Sequence, residues 1–296
     1  MKHLMIAAVS ALALAGCTPD KAPAPASLDT AAAETETAVV LTLADVVNSD
    51  LRSAEEKARD VWRHPVETLE FFDVTADKKV VEIWPGGGWY TNILAPWLAS
   101  GGGTLVAAGF DPSTIEDADR RARTEARIEE FKANYAKPEF GTIEHSSFSK
   151  ASGPLTAEGT ADVVLTFRNI HNWMGEGYTE KFFADAYSAL KPGGILGVVE
   201  HRLPSTQAQD PKATSGYVHE DYVKAMAVAA GFEFVEASEI NANPADTADH
   251  PFGVWTLPPV STSTDRAGKT VEGFDPEKYK AIGESDRMTL KFRKPG

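Results

Sequence analysis

The segment from Val80 to Thr91, VVEIWPGGGWYT, places three glycines directly after an apolar run that is typical of a buried strand. Glycines at such a point let the backbone approach a ligand, and a helix that begins after them offers its N-terminal N–H groups. The turn lacks the lysine of a triphosphate-binding loop, and Thr91 stands where a dinucleotide fingerprint has its third glycine. What remains is an acid followed by two spaced glycines, E-x-x-x-G-x-G, from Glu82 to Gly88.

Segments of strand and helix character alternate around this turn, which predicts an α/β domain with a mostly parallel sheet. The predicted strands are 79–83, 104–110, 142–145, 161–167, 195–201, 232–239 and 288–293. The predicted helices are 90–98, 117–135, 178–190 and 220–230, preceded by one that is capped at 48–50 and runs to residue 63. The stretch 241–286 between the last two strands is long, polar and proline-rich, which predicts either a functional insertion such as a lid or a poorly ordered segment.

The first residues, MKHLMIAAVSALALAGC, have the charge, the short apolar run and the small residues of a secretory signal. Leu14 to Cys17 resembles a bacterial lipoprotein box, so we predict a signal peptide over 1–16 and a lipid anchor at Cys17. An ordinary signal peptide with an incidental cysteine is the alternative. Residues 17–40 are rich in Ala, Pro, Thr and acids and predict a disordered tether, followed by one folded domain over 41–296. The expected location is the periplasmic face of the cell envelope, with Thr18 favouring the outer membrane.

Composition limits the possible partners. The chain of 296 residues has a formal net charge of -14, which argues against nonspecific binding to nucleic acid. Cys17 is the only cysteine, so no disulfide can form within the chain. The seven histidines show no ligand spacing typical of a metal site, and none is predicted. Asp246, Asp249 and His250 lie close together in the polar insertion and are expected to be solvated.

Three motifs together resemble the class I S-adenosylmethionine-dependent methyltransferases. VVEIWPGGGWYT is similar to their first motif, ADVVLTFRNIHNW to their fourth-strand motif and ALKPGGILGVVEHR to the entry of their fifth strand. The turn, the HNW and the SDRMTLKF ending also resemble a group of predicted bacterial methyltransferases that are often exported. The resemblance implies a Rossmann-like three-layer αβα sandwich. Its sheet would have seven mostly parallel strands, with the last strand antiparallel, so 41–296 would be a methyltransferase domain.

The resemblance also implies which residues bind S-adenosylmethionine. Glu82 corresponds to the acid that orders the turn and the methionine amine, and Trp84 stands where many members have their first glycine. The family's ribose-binding acid would align with Gly109, so Asp111, two residues later, is the candidate, although Asp-Pro is equally typical of a helix start. The Trp84 side chain would either turn away from the site or line its methionine end, and Ser147 and Phe148, after the third predicted strand, fall where the family contacts adenine. The implied cofactor-binding residues are Glu82, Trp84, Gly86, Gly88, Asp111, Ser147, Phe148 and Asn169.

His171 follows the fourth predicted strand, where open α/β sheets bind ligands. It is the candidate catalytic residue, as a general base, although a histidine there could also only orient the loop or line a pocket. Glu200, His201 and Arg202 end the fifth predicted strand and either face the same cleft or form a charged structural loop.

The resemblance therefore implies methyl transfer from S-adenosylmethionine to an acceptor that the sequence does not identify. The acidity of the chain favours a small molecule or an envelope component over nucleic acid. A membrane-tethered protein that uses the same fold to bind a small ligand without catalysis is the alternative, because an exported enzyme needs an external supply of its cofactor. The sequence makes no prediction of oligomeric state.

Overall fold

A computed structural model describes residues 40–296 of the chain. Helices in this part of the chain are α1 (Leu43–Asn48), α2 (Ala54–Lys57), α3 (Asp60–Arg63), α4 (Pro65–Phe71), α5 (Thr91–Gly101), α6 (Ala118–Asn134), α7 (Ile170–Glu176), α8 (Thr179–Ala189), α9 (Glu220–Ala229) and α10 (Pro276–Ile282). Strands are β1 (Lys79–Ile83), β2 (Thr104–Phe110), β3 (Ile143–Phe148), β4 (Ala161–Phe167), β5 (Leu190–His201), β6 (Glu233–Ser238), β7 (Pro251–Val254) and β8 (Arg287–Arg293).

Seven of these strands form one sheet in the order β3-β2-β1-β4-β5-β8-β6. The pairs β1–β2, β1–β4, β2–β3 and β4–β5 are parallel, whereas β8 is antiparallel to both β5 and β6. The order reverses direction at β1 and β4, so their carboxyl ends flank the switch point at which open α/β sheets bind ligands. The prediction of a mostly parallel seven-stranded sheet with an antiparallel last strand is confirmed.

Helices cover both faces of the sheet, because alternate residues of each central strand point to opposite sides. On one face, Val81 and Val164 pack in a cluster with Trp173 of α7 and Phe182 of α8. On the other face, Val80 and its neighbours pack against α1, α4 and α5. Continuous apolar runs such as β4 are therefore buried on both sides, as expected for a three-layer sandwich.

Several predicted elements have the observed bounds and others do not. The bounds of β1, β2 and β4 match the prediction, whereas β3 continues to Phe148 and β5 begins at Leu190. The helix predicted through residue 63 was wrong at its start, because α1 ends at Asn48 and Ser53 caps α2 with a hydrogen bond from Glu56 N. Helix α7 was missed.

The stretch 241–286 carries β7 and α10 and is tied to the rest of the domain at both ends. Asn241 donates to Thr68 Oγ1 and Thr289 Oγ1 at 3.0 and 2.9 Å, and Asn243 donates to the carbonyl oxygens of Ile282 and Glu284. Residues 259–278 between these ends are mostly exposed. The insertion is thus attached to the domain at both ends, and residues 259–278 form an exposed segment within it.

The predictions for the signal peptide, for Cys17 and for the tether up to residue 39 lie outside the described residues. No helix between residues 40 and 296 combines the length and the hydropathy needed to cross a membrane.

Candidate functional site

The glycine turn begins with a tryptophan in a backbone conformation that usually requires glycine. Trp84 has a φ of 50°, and Gly86 and Gly88 have φ values of 60° and 88°. The Trp84 indole donates to Phe148 O at 2.8 Å and packs against the rings of Phe110 and Trp173. The indole therefore extends across the carboxyl ends of β1, β2 and β3.

The glycines of the turn differ in what surrounds them. A Cβ added at Gly86 or Gly87 would meet no atom within 4 Å, so both face open space. A Cβ at Gly88 would lie 1.8 Å from Tyr135 Oη, whose hydroxyl donates to Gly88 O. Packing against Tyr135 accounts for Gly88 in this structure, and its predicted contact with a cofactor stays a prediction.

A cavity of about 1250 Å³ opens along the carboxyl ends of β1, β2 and β3 and beneath α6. Its lining includes Trp84, Gly86 and Gly87 from the turn, with Asp111 and Phe148 from the ends of the next two strands. The structure therefore brings residues from the first motif, Asp111 and Phe148 to one space. A cavity with aromatic walls and several polar groups, among them the carboxylate of Asp111, is typical of a small-molecule site.

Asp111 follows β2 and is fixed by its neighbours. Its Oδ1 accepts from Ser113 N at 2.9 Å and its Oδ2 accepts from Ser149 Oγ at 2.8 Å. Burial acts to raise the pKa of Asp111, but the hydrogen bonds from Ser113 and Ser149 outweigh it and lower that pKa. Asp111 caps the short 3₁₀ turn 112–114, as a helix start predicts, and it also lines the cavity. Its predicted contact with the ribose stays a prediction.

Glu82 lies near the carboxyl end of β1 with only 2% of its surface exposed. Thr91 Oγ1 donates to Glu82 Oε2 at 2.7 Å, which joins the strand to the first turn of α5. Burial raises the pKa of Glu82 to about 7, although the Thr91 bond and the charge of Arg168 act in the opposite direction. Glu82 thus orders the turn from beneath and can change its charge near neutral pH.

The two remaining cofactor candidates lie away from the cavity lining found among residues 40–296. Ser147 is within β3, opposite Gly109 of β2. Asn169 donates through its amide to Ile83 O at 3.0 Å and to Thr166 Oγ1 at 3.3 Å, so it ties the loop after β4 to the end of β1. Their predicted contacts with a cofactor stay predictions.

His171 and Glu200 form a buried hydrogen-bonded pair. His171 Nδ1 lies 3.0 Å from Glu200 Oε1, and the carboxylate is fully buried. Glu200 Oε2 also accepts from Ile170 N at 2.5 Å, and Oε1 accepts from His201 N at 2.8 Å. Because the carboxylate accepts, we assign the proton of His171 to Nδ1, which leaves Nε2 with a free lone pair.

His201 adjoins this pair and lies against the insertion. Its Nδ1 is 2.5 Å from Ser285 Oγ, and burial together with neighbouring positive charges lowers its pKa well below the usual value. The Trp255 ring lies 5.9 Å from the His171 ring. Arg202 points elsewhere and forms ion pairs with Glu239 and Asp286. Of the three residues that end β5, two therefore join the His171 pair.

The side chains of His171, Glu200 and His201 offer atoms within 4.8 Å of one another, a separation at which such groups could hold a metal ion. The sequence did not suggest this, since Glu200 and His201 are distant from His171 along the chain. Both Glu200 oxygens already accept hydrogen bonds from the protein, including backbone N–H groups. The protein itself therefore holds the Glu200 carboxylate in place.

Four guanidinium groups gather beside these residues, and we call Arg59, Arg63, Arg168 and Arg287 the arginine cluster. Arg59 Nε and Arg63 Nε lie 2.6 and 3.0 Å from the buried carboxylate of Glu284, which also pairs with Arg287. Burial acts to raise the pKa of Glu284, but Arg287 and Arg63 lower it to about 2. Burial and the charge of Arg168 lower the pKa of Arg63 to about 8.

The arginine cluster was missed at the sequence level. Arg63 and Glu284 are 221 residues apart, so only the fold brings them together. Arg168 directly follows β4, and its position at a strand end was the one available signal.

The expectation that Asp246 and His250 are solvated was wrong, because both are buried and His250 Nε2 lies 2.8 Å from Asp246 Oδ1. Tyr217 Oη also donates to Asp246.

No family model matches the chain, and no curated protein matches it. Solved structures do match. A proposed sarcosine dimethylglycine methyltransferase from Galdieria sulphuraria is 12% identical and aligns over 82% of this chain and 87% of its own, with a TM-score of 0.50. An S-adenosylmethionine-dependent methyltransferase from Aquifex aeolicus is 14% identical over 68% of this chain and 94% of its own, with a TM-score of 0.46. A proposed methyltransferase from Bacillus halodurans is 18% identical over 79% of this chain and 100% of its own, with a TM-score of 0.46.

At such identities the likeness is one of fold. The strand order, the antiparallel β8 and the match to the Galdieria structure define a Rossmann-like fold of the class I methyltransferase type. The predicted fold class is confirmed.

Proposed function

We propose that the chain is an S-adenosylmethionine-dependent methyltransferase. The observation that carries the proposal is the turn after β1, where Gly86 and Gly87 present open backbone to a large cavity at the carboxyl ends of β1, β2 and β3. The residues present fit the cofactor, because the same cavity offers aromatic walls for a base and a fixed carboxylate for hydroxyl groups.

The residues that would hold the cofactor follow from the cavity and from the resemblance. Asp111 would accept from the ribose hydroxyls, and Trp84 and Phe148 would contact the adenine. Glu82 would attract the methionine amine, and its elevated pKa means that a nearby cation would favour its charged form. When bound, the cofactor supplies an activated methyl group on sulfur, so the protein mainly has to position the acceptor in line with it.

His171 is the proposed general base for an acceptor that carries a proton at working pH. Glu200 fixes the Nδ1–H of His171, so the free Nε2 can take a proton from a hydroxyl or ammonium group. The buried carboxylate would stabilise the imidazolium that forms. Trp255 lies beside the ring and limits the space available to an acceptor.

The proposed acceptor is a small molecule or an envelope component. Lipid attachment at Cys17 would hold the domain at the periplasmic face of the envelope, with the outer membrane favoured. The net charge of -14 supports the exclusion of nucleic acid as a substrate.

Calorimetry with S-adenosylmethionine and S-adenosylhomocysteine tests the cofactor. We expect both to bind the full chain, and Asp111→Ala to weaken binding about tenfold because two charge-assisted hydrogen bonds are lost. Asp119→Ala, which changes an exposed acid in the first turn of α6, is the matched control and should leave the affinity unchanged. If neither compound binds the wild-type chain, the proposal is wrong.

A membrane-tethered protein that binds a small ligand without catalysis is the second candidate. The observation in its favour is Trp84, whose indole lies among Phe110, Phe148 and Trp173, close to where the resemblance places adenine. Binding of S-adenosylhomocysteine without methyl transfer to carboxylate, amine, hydroxyl and phosphate acceptors would favour this candidate.

A further inference from the structure

The arginine cluster carries more positive charge than its protein partners neutralise. Glu284 is the carboxylate that pairs with Arg59, Arg63 and Arg287, and Glu82 is the other acid near Arg168. Arg59 Nη2 and Arg287 Nε are buried without a hydrogen-bond partner among the described residues. Buried charges are normally paired, so an excess of this kind indicates that a counter-ion belongs to the site.

Arg168 is the member of the cluster whose guanidinium is available to bind a ligand. Its backbone has a φ of 63°, a strained conformation for arginine, and its N–H donates to Val199 O at 2.7 Å. The hydrogen bonds and ion pairs found within residues 40–296 include none from its guanidinium. Burial and the charge of Arg287 lower the pKa of Arg168 to about 10. A guanidinium rarely gives up its proton, so Arg168 stays charged, and a bound anion would offset both its burial and the repulsion from Arg287.

The position of the cluster points to the acceptor rather than to the cofactor. Arg63 belongs to α3, Glu284 to the segment before β8 and Arg287 to the start of β8, so these groups come from outside the β1–β3 side that forms the cavity. Arg168 is three residues before His171, and the charges of Arg63, Arg168 and Arg287 reach His201. An anion at the cluster would therefore lie beside the proposed base.

We propose that Arg63 and Arg168 form a subsite for an oxyanion of the methyl acceptor, a carboxylate or a phosphate group. The substrate class is then a small anionic molecule, held by two guanidinium groups so that its nucleophilic atom faces His171. This inference rests on the proposed methyl transfer for the identity of the ligand as an acceptor. The subsite itself rests on the charges and contacts of the cluster.

Thermal unfolding of the full chain in sodium phosphate, sodium acetate and sodium chloride at equal ionic strength tests the subsite. We expect phosphate or acetate to raise the Tm of the wild type above its value in chloride. Arg168→Gln should raise the Tm in chloride by about 2–4 °C, since repulsion is relieved, and should abolish the specific anion effect. Arg168→Lys, which keeps the charge, should retain part of the anion effect.

Arg266→Gln in the exposed part of the insertion is the matched control, because it removes an exposed arginine away from both the cavity and the cluster. The control also measures the general stabilisation by phosphate. Phosphate should raise the Tm of Arg168→Gln by no more than this general amount. A response to phosphate alone assigns a phosphate-bearing acceptor, and a response to acetate alone assigns a carboxylate. An Arg168→Gln variant with a lower Tm in chloride and an unchanged anion effect would show that Arg168 is only structural.

Calorimetry separates the acceptor from the carboxylate of the cofactor itself. We expect Arg168→Gln to bind S-adenosylhomocysteine and 5′-methylthioadenosine as the wild type does. A tenfold loss for S-adenosylhomocysteine alone, about 1.4 kcal/mol, would place the anion on the cofactor and overturn the assignment to the acceptor. If the wild type binds neither compound but shows the anion effect, the proposed function fails and the oxyanion site stands.

Discussion

Trp84 has a left-handed backbone conformation at a position where many of the methyltransferases that the sequence resembles have glycine. The left-handed backbone costs a tryptophan about 1–2 kcal/mol. The indole hydrogen bond to Phe148 O and the contacts with Phe110 and Trp173 offset that cost. A tryptophan can therefore occupy a left-handed position at this turn because its indole has specific partners.

Glu82 makes the stability of the fold depend on pH. Its folded pKa of about 7 lies above the usual 4.5, so the folded state holds a proton that the unfolded chain releases between these values. The free energy of unfolding should therefore fall as pH rises through this interval, by on the order of 3 kcal/mol. Glu82→Gln should abolish this loss, because glutamine can still accept from Thr91 but does not titrate.

Urea unfolding of both proteins from below pH 4.5 to above pH 7 measures the difference. The comparison isolates Glu82, since His201, whose pKa is lowered, contributes the opposite pH dependence equally to both proteins. Parallel pH profiles for the two proteins would contradict a protonated Glu82 in the fold.

The buried carboxylates of Glu82 and Asp246 differ in how far the sequence around them predicts their role. Glu82 was identifiable because it immediately precedes a glycine turn. The burial of Asp246 was not, because its partners Tyr217 and His250 lie in segments whose polar composition suggests solvent exposure. Composition reports the average polarity of a segment, whereas burial depends on which partners the fold supplies.

At the scale of elements, β5 and α7 are joined by one side chain. No side chain of α7 itself caps its N-terminus, and Glu200 of β5 accepts from the N–H groups of Ile170 and His171. A carboxylate at this end also complements the helix dipole. Glu200 thus holds the helix and the imidazole of His171 with the same two oxygens.

Glu200→Gln should lower the free energy of unfolding by about 2 kcal/mol, because a buried charged acceptor is replaced by an amide that brings an unwanted donor. Hydrogen exchange should rise most at the N–H groups of Ile170 and His171. Glu158→Gln, an exposed substitution of the same kind, should change neither quantity. Equal stability of both variants would mean that the carboxylate does not support α7.

The insertion should tolerate change in its exposed part and not at its ends. Replacing residues 263–273 with a short Gly-Ser linker should alter the free energy of unfolding by less than about 1 kcal/mol, because these residues are exposed. Asn243→Ala should cost about 2 kcal/mol, since the carbonyl oxygens of Ile282 and Glu284 lose their donor. Chemical denaturation measures both, and the reverse order of effects would contradict this division of the insertion.

The strands were predicted better than the helices for a physical reason. Strands buried on both faces read as continuous apolar runs with clear ends, as β1, β2 and β4 show. Helix α7 has only seven residues, too few for a helical period to stand out from the motif that precedes it. The start of β5 was placed late because Lys191 to Gly194 reads as a turn, whereas the structure keeps it within the strand.

At the scale of the whole molecule, the candidate site divides into a part that local motifs disclose and a part that only the fold assembles. The glycine turn, Asp111 and Phe148 lie at strand ends, so the order of the strands predicts that they lie close together. The arginine cluster joins α3, the residue after β4 and the first residue of β8, and no local pattern relates these segments.

Anchoring at Cys17 is a prediction for the entire chain. Expressed with its first 16 residues in a bacterium, the chain should incorporate radiolabelled palmitate and sediment with membranes. Cys17→Ala should incorporate none and be recovered in the soluble fraction, because the cysteine is the only site for the thioether-linked lipid. Incorporation by the variant, or its absence from the wild type, would contradict a lipid anchor.

The position of β8 determines when the site can exist. This strand follows all the others along the chain, yet it lies inside the sheet between β5 and β6. Until it is synthesised, β5 is paired on one side alone, β6 has no partner among the described strands, and Arg287 is absent from its place beside Glu284. Pairing that distant in sequence is slow because loop closure precedes any gain. We therefore expect the sheet to close late in folding, and the arginine cluster to be complete only when Arg287 reaches Glu284.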